Sequence, residues 1–349
     1  MLSPVDFVRD LTPAKRRTFA EARRGLHSGE SGIGLRYDRH GTVQHGAVEV
    51  YYYEVGPVDA PLAVVYAHGF NIAAEEFYMQ VEALRPLGVR QVLVDVRGHG
   101  QTGRIDPGLL TIDAAADDIA AVMEHLLIDV PVVTVGHSLG GPISLSLMRR
   151  HDFCWAGSVQ VSGAVDPFTA RGMPRALGGA FGSALEAMVE KLPHTAEGLR
   201  VAITSTLAPA LARWFYFRPM NYQIIQFHAA LIQETPLATY AGYFDDLKDH
   251  SERAAAGVLA GLPGYILVGE RDNVTPLEQS AQLAEIWPDA YYQVLPESGH
   301  MPTLDAPAAV TCAIARVIER VTSETNPEPD PGLDPGPDPD PDPDQEETE

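Results

Sequence analysis

The chain holds two cysteines in 349 residues, Cys154 and Cys312. Two thiols exclude a disulfide framework, and their spacing fits no zinc pattern. Buried free thiols are the expectation. There is no run of 18 apolar residues, so no membrane-spanning helix is expected. The first residues lack the basic start and apolar core of a secretory leader, which points to a cytoplasmic location. Basic residues are scarce, at 25 against 47 acidic ones. Eleven of the acids fall in residues 324–349, which contain no Lys or Arg, so the body carries 36 acids against its 25 bases. An acidic body argues against nucleic acid as a partner and against adsorption to anionic membranes. No cluster of ligating side chains calls for a metal, and nothing calls for a cofactor. The oligomeric state is not legible.

What is present is organised in blocks. Residues 1–30 form an N-terminal segment with a basic patch, Lys15, Arg16, Arg17, Arg23 and Arg24, and read as a solvated helix. Residues 31–163 alternate strand and helix patterns. Strand-like runs occur at 48–55, 62–66, 91–94, 131–135 and 158–161, and helical periodicity at 75–84, 111–127 and 139–150. Such alternation predicts a parallel sheet covered on both faces. From 164 to 249 no strand is legible. Large apolar residues recur there at helical spacing: Met173, Leu177, Phe181, Leu185, Met188, then Trp214 to Phe217, Met220, Ile224, Ile225 and Phe227. We read this block as a helical cap inserted into the parent fold. Alternation resumes over 250–322, with strands at 265–268 and 291–295 and helices at 277–286 and 306–321. Residues 323–349 are a Pro-Asp-rich tail that should be extended and disordered.

The chemistry centres on Gly136-His137-Ser138-Leu139-Gly140, a G-x-S-x-G pentapeptide between a strand and a helix. A serine on that sharp turn has its hydroxyl pushed clear of the backbone, and small neighbours are needed because the helix packs close. A hydroxyl is a poor nucleophile without a base, and the base needs an orienting carboxylate. Asp272 follows the strand at 265–268, and His300 lies in the loop after the strand at 291–295. Three loops thus deliver Ser, Asp and His to the carboxyl ends of the strands, where the groups of such sheets gather. Acyl chemistry also needs N–H donors for a developing oxyanion. The candidates are the backbone N–H of Leu139, heading a helix, and that of Phe70, in the glycine-containing loop His68-Gly69-Phe70-Asn71.

Each assignment has a rival. Asp166, just after the strand at 158–161, could replace Asp272. Glu270 stands nearer its strand and should face away. His137 should point away from its neighbour Ser138. His68 and His99 should make structural hydrogen bonds, and His151 and His250 read as surface residues.

With these residues in view, the chain resembles the α/β-hydrolase fold superfamily, in its capped serine lipase/esterase branch. The likeness runs through His68-Gly69-Phe70, Asp95-Val96-Arg97-Gly98-His99-Gly100, the Ser138 pentapeptide with Gly141, Gly269-Glu270-Arg271-Asp272 and Ser298-Gly299-His300, spanning roughly residues 45–322. It implies Ser138 as nucleophile, His300 as base, Asp272 as acid, and oxyanion donors at Phe70 and Leu139. Thr102 stands where many members carry serine. The absence of a His-Gly-Gly-Gly run implies the short type of oxyanion loop and makes bulky tertiary-alcohol esters poor candidates. Serine at 138 sets the chain apart from dehalogenases and epoxide hydrolases of this fold. The expected substrate is a small-molecule or lipid-like carboxylic ester with a medium or long apolar acyl chain. Amides, lactones, N-terminal-proline peptides, C–C bonds and acyl transfer stay open, and more remotely a non-catalytic ligand-binding role.

Overall fold

The computed structural model describes residues 32–168, 191 and 193–325. The basic N-terminal patch, the apolar residues Met173, Leu177, Phe181, Leu185 and Met188, and the tail from residue 326 lie outside the described residues, whereas residues 323–325, expected in that tail, continue the last helix.

The described chain builds one eight-stranded sheet: β1 (Arg39–His45), β2 (Val48–Val55), β3 (Ala63–Ala67), β4 (Arg90–Val94), β5 (Val132–His137), β6 (Trp155–Val161), β7 (Gly264–Gly269) and β8 (Ala290–Leu295). The spatial order is β1-β2-β4-β3-β5-β6-β7-β8. β1 and β2 run antiparallel to their neighbours, and every other pairing is parallel. β3, β4 and β5 are buried along their whole length, as continuous apolar runs on a sheet covered on both sides should be.

Side-chain alternation splits the core between the two faces. Val64, Tyr66, Leu93 and Val135 pack with Phe77, Val81 and Leu84, the last two from α1 (Tyr78–Leu84). Val310, Ile314 and Val317 of α8 (Pro307–Thr325) join that cluster. Ala63, Val65, Val92 and Val94 pack on the opposite face. Their partners are Ile112, Ile119 and Met123 of α2 (Ile112–His125) and Ile143 and Leu147 of α3 (Gly140–Arg150). The Thr111 side chain accepts the Ala114 N–H and so caps α2. α7 (Leu277–Ile286) links β7 to β8, and buried Trp287 follows it.

Between β6 and β7 the described residues contain α4 (Pro193–Trp214), α5 (Tyr222–Glu234) and α6 (Leu237–Asp249) and no strand. Their core joins Phe227 and Ile232 to Ala208, Ala212 and Tyr216.

β1 adds a strand to those expected from the sequence, and one further expectation is corrected. Cys154 and Cys312 are free, as expected, but exposed rather than buried. Cys312 lies off the face on which Val310, Ala313 and Ile314 meet the sheet, and Cys154 sits in the turn entering β6. Among the described residues, no helix is long and apolar enough to cross a membrane.

Candidate active site

The sharp turn after β5 sets the geometry. Ser138 has φ +52, a left-handed conformation that costs a non-glycine residue about 1–2 kcal/mol. The turn holds because Ser138 N–H donates to Val161 O at 2.9 Å and Gly141 N–H to Ser138 O at 2.9 Å. The two outer glycines are steric requirements. A Cβ at Gly136 would stand 2.5 Å from the Gly140 carbonyl oxygen, and one at Gly140 would overlap the carbonyl of Ala67 in β3. Leu139 heads α3.

The Ser138 hydroxyl lies 2.9 Å from His300 Nε2. On the far side of the ring, Nδ1 lies 2.9 and 3.0 Å from the two carboxylate oxygens of Asp272. A carboxylate only accepts, so Nδ1 carries the proton. Nε2 is then left with its lone pair toward the serine O–H, which donates to it. All three side chains are almost wholly buried.

Asp272 is fixed by its own chain. Oδ1 accepts the N–H groups of Val274 and Thr275, both at 2.9 Å. The Thr275 hydroxyl stands 2.9 Å from both Oδ2 and the Ser162 carbonyl, with one proton to give. Burial opposes ionisation, but the His300 ring and the N–H donors hold the Asp272 pKa below the usual carboxylate value. The His300 backbone is tied down as well, its N–H donating to Phe215 O at 2.9 Å in the turn after α4.

The loop after β3 approaches the same point. His68 Nδ1–H donates to Gly69 O at 2.8 Å, and His68 Nε2 accepts the Val96 N–H at 2.9 Å. Because the peptide unit is planar, holding Gly69 C=O also fixes the direction of the Phe70 N–H. His99 Nε2 accepts the Asn71 N–H at 3.2 Å. Burial pushes the pKa of His68 down to about 4 and that of His99 to about 3, so both act as neutral hydrogen-bonding groups. The Phe70 ring stands edge-on to Tyr240 of α6, whose hydroxyl donates to Asn71 Oδ1. The Thr102 hydroxyl donates to Asp95 O at 2.6 Å and accepts the Tyr51 N–H, a role a serine would fill equally.

The rivals fall elsewhere. Asp166 is half-buried and paired with Arg253 at 2.6 Å, while the His300 ring is taken by Asp272. Glu270 is exposed, and its carboxylate accepts the Glu297 N–H. His137 is buried beneath the site. His151 is half-buried against Asp117 at 2.8 Å, and His250 against Glu252 at 2.7 Å, rather than on the surface. Asp113, His250 and Glu252 approach one another closely enough to suggest a metal site. Arg149, Arg150, Ser146 and His250 already occupy the four carboxylate oxygens, so the cluster is an ion-pair network.

Two participants were missed in the sequence. Thr275 is three residues after Asp272, a spacing that lets a hydroxyl return to its carboxylate. Glu76 lies in the 3-10 turn Ala74–Phe77 and is completely buried. A small cavity beside His300 is walled by Trp214, Phe217 and Val274, with Arg271 and Asn273 at its polar side. The Arg271 guanidinium rests 5.2 Å from the centre of the Phe217 ring.

Residues 63–307 match the family model of the alpha/beta hydrolase fold. The AB hydrolase superfamily protein YisY of Bacillus subtilis is 28% identical over 230 residues, covering 63% of this chain and 78% of that protein. The bifunctional esterase/perhydrolase DCH of Acinetobacter calcoaceticus is 37% identical over 94 residues, only 27% of this chain and 33% of that protein. Among solved structures, a thermophilic esterase from Thermogutta terrifontis superposes with a TM-score of 0.63 at 23% identity, covering 81% of this chain and 99% of that one. The enol-lactonase from Burkholderia xenovorans superposes with 0.64 at 20% identity, covering 80% and 100%. At such identities these two structures establish the fold. The family match spans most of the chain, from the start of β3 to the start of α8; the chain belongs to the alpha/beta hydrolase fold family, and its general class is that of a hydrolase.

Proposed function

We propose that the protein is a serine hydrolase that cleaves carboxylic esters through an acyl-enzyme. The observation that carries the reading is the unbroken hydrogen-bond chain from Ser138 Oγ through His300 to Asp272. Ser138 Oγ attacks the ester carbonyl carbon while its proton passes to His300 Nε2. Asp272 holds the resulting imidazolium. The N–H groups of Phe70 and Leu139 receive the oxyanion, and the dipole of α3 favours negative charge at its head. His300 then protonates the departing alcohol, leaving the acyl group on Ser138. Water attacks that ester, gives its proton to His300, and the acid leaves as Ser138 recovers its hydrogen.

The helices between β6 and β7 act as the cap of this site. Trp214, Phe217 and Val274 would line the acyl side. That wall favours an apolar acyl group, short where it is enclosed. A cyclic ester fits the same chemistry, and the enol-lactonase and esterase/perhydrolase names among the relatives keep lactones and a non-water acyl acceptor as the second reading.

The test is turnover of p-nitrophenyl esters by wild type and Ser138→Ala, with fluorophosphonate labelling of Ser138. Loss of the nucleophile should cost about a millionfold in kcat. Equal turnover by the two proteins would end the proposal.

A further inference from the structure

Beneath the serine and the histidine lies a second buried pair that the reaction above does not use. Glu76 and His137 are 0% and 1% exposed at their side chains, and His137 Nδ1 stands 2.8 Å from Glu76 Oε2. The contact is off the line of a well-aligned hydrogen bond, so it is chiefly electrostatic. His137 Nε2–H donates to the backbone carbonyl of His300 at 3.0 Å. Glu76 Oε1 accepts the Gly69 N–H at 2.9 Å, and Oε2 accepts the Thr303 hydroxyl at 3.4 Å.

Both ring nitrogens of His137 therefore face oxygens that accept, a carbonyl on one side and a carboxylate on the other. A neutral imidazole would turn a lone pair toward one of them. Besides the ring, Gly69 N–H and Thr303 O–H both donate to the Glu76 carboxylate. Burial works against charge on His137, but the Glu76 carboxylate and the His300 carbonyl raise its pKa above the ordinary histidine value.

The placement is what matters. Gly69 precedes Phe70, one proposed oxyanion donor. The His300 carbonyl belongs to the residue proposed as base. His137 precedes Ser138. A Cβ at Gly69 would sit 2.8 Å from His137 Nδ1, so the loop after β3 lies directly on this ring. One ion pair thus ties together the loop after β3, the turn after β5 and the loop after β8. Charges this deep are expensive to bury, and neutral partners could satisfy the same N–H and C=O at lower cost. Neutral partners would not hold all three segments to one short set of distances.

We propose that Glu76 and His137 are positioning residues whose buried ion pair sets the Phe70 N–H and the His300 ring in register with Ser138. The proposal rests on the serine-hydrolase reading for its kinetic consequence, but not for the protonation state of the pair. Glu76→Gln keeps the side chain's shape and removes its charge. It should lower kcat about tenfold to a hundredfold, the range expected when a hydrogen bond to a charged group is lost. KM should stay within about threefold, and a boronic acid, whose serine adduct mimics the tetrahedral state, should lose affinity by the same factor as kcat. A purely structural role would lower melting temperature without that parallel.

Nitrogen-15 histidine spectra of the wild type test the pair without any variant or substrate, and His137 should carry protons on both ring nitrogens at neutral pH. A neutral His137, or a folded Glu76→Gln protein with kcat within threefold of wild type, overturns the proposal. Failure of the underlying reading looks different: Ser138→Ala would then match wild type while the His137 spectrum still showed both protons.

Discussion

Asp272→Asn tests the orientation of the imidazole most sharply, because its consequence can be worked out atom by atom. Oδ1 accepts the N–H groups of both Val274 and Thr275, so the oxygen of an asparagine amide must take that place. Its NH2 then occupies the Oδ2 position, 2.9 Å from His300 Nδ1. Two N–H groups cannot face each other at that distance. The imidazole must surrender its Nδ1 proton and carry one on Nε2 instead, where it points at the serine hydroxyl. A base without a lone pair toward its nucleophile does no work. By analogy with triads in which the same change traps the wrong tautomer, kcat should fall about ten-thousandfold, which is about 5 kcal/mol of barrier. Overall packing should survive, since the side chains are nearly the same shape and the turn's N–H groups keep their acceptor. The assay is p-nitrophenyl butyrate turnover, with circular dichroism and melting temperature as controls. A folded variant retaining more than a tenth of wild-type kcat would refute the assignment of Asp272 as the orienting acid.

Two further predictions follow from the site's surroundings. Thr275→Val removes the one hydroxyl shared by Asp272 Oδ2 and Ser162 O, and because that single proton is divided between two acceptors the loss should be about 1 kcal/mol, or about fivefold in kcat, read in the same assay. Stability should hold between two limits set by buried groups. Asp272 titrates below its ordinary value of 3.8, so its contribution is present above that pH and lost as acid reaches the lowered folded value. His137, faced by Glu76, Asp272 and His300, titrates above its ordinary 6.5, so its contribution is full below that pH and lost as alkali reaches the raised value. Thermal unfolding across pH 3–10 checks this, and Glu76→Gln should flatten the alkaline limb; an unchanged limb in a folded variant would contradict it.

The site was legible in the sequence where chemistry sits next to a strong periodic signal. Ser138, Asp272 and His300 each come just after an apolar run of buried strand, and such runs can be recognised without a structure. α7 matched its expected span, residues 277–286, although the face it buries is carried by Gln279 and Ser280 as well as Leu283. β1 was invisible for the opposite reason. Its seven residues, Arg39 to His45, include a single large aliphatic, Val43, and its residues alternate between half-buried and exposed. It is a strand because each residue pairs with β2, a long-range fact absent from local composition. Glu76 carries no local signal, because an acidic residue in the first turn of a helix is common on solvated helices as well. Only the packing of two distant loops reveals that it faces His137. Asp272 was preferred to its rival Asp166 on sequence alone, and the structure adds the reason Asp166 is engaged elsewhere: Arg253 pairs with it.

The hydrogen bond from His300 N–H to the Phe215 carbonyl has a practical consequence. Grafting the 164–249 block from another family member is an obvious route to new substrate preference. That graft would carry away an acceptor on which the backbone of His300, the proposed base, leans. A chimera that imports foreign helices therefore has to reproduce the short turn after α4, or it exchanges selectivity for a misaimed imidazole.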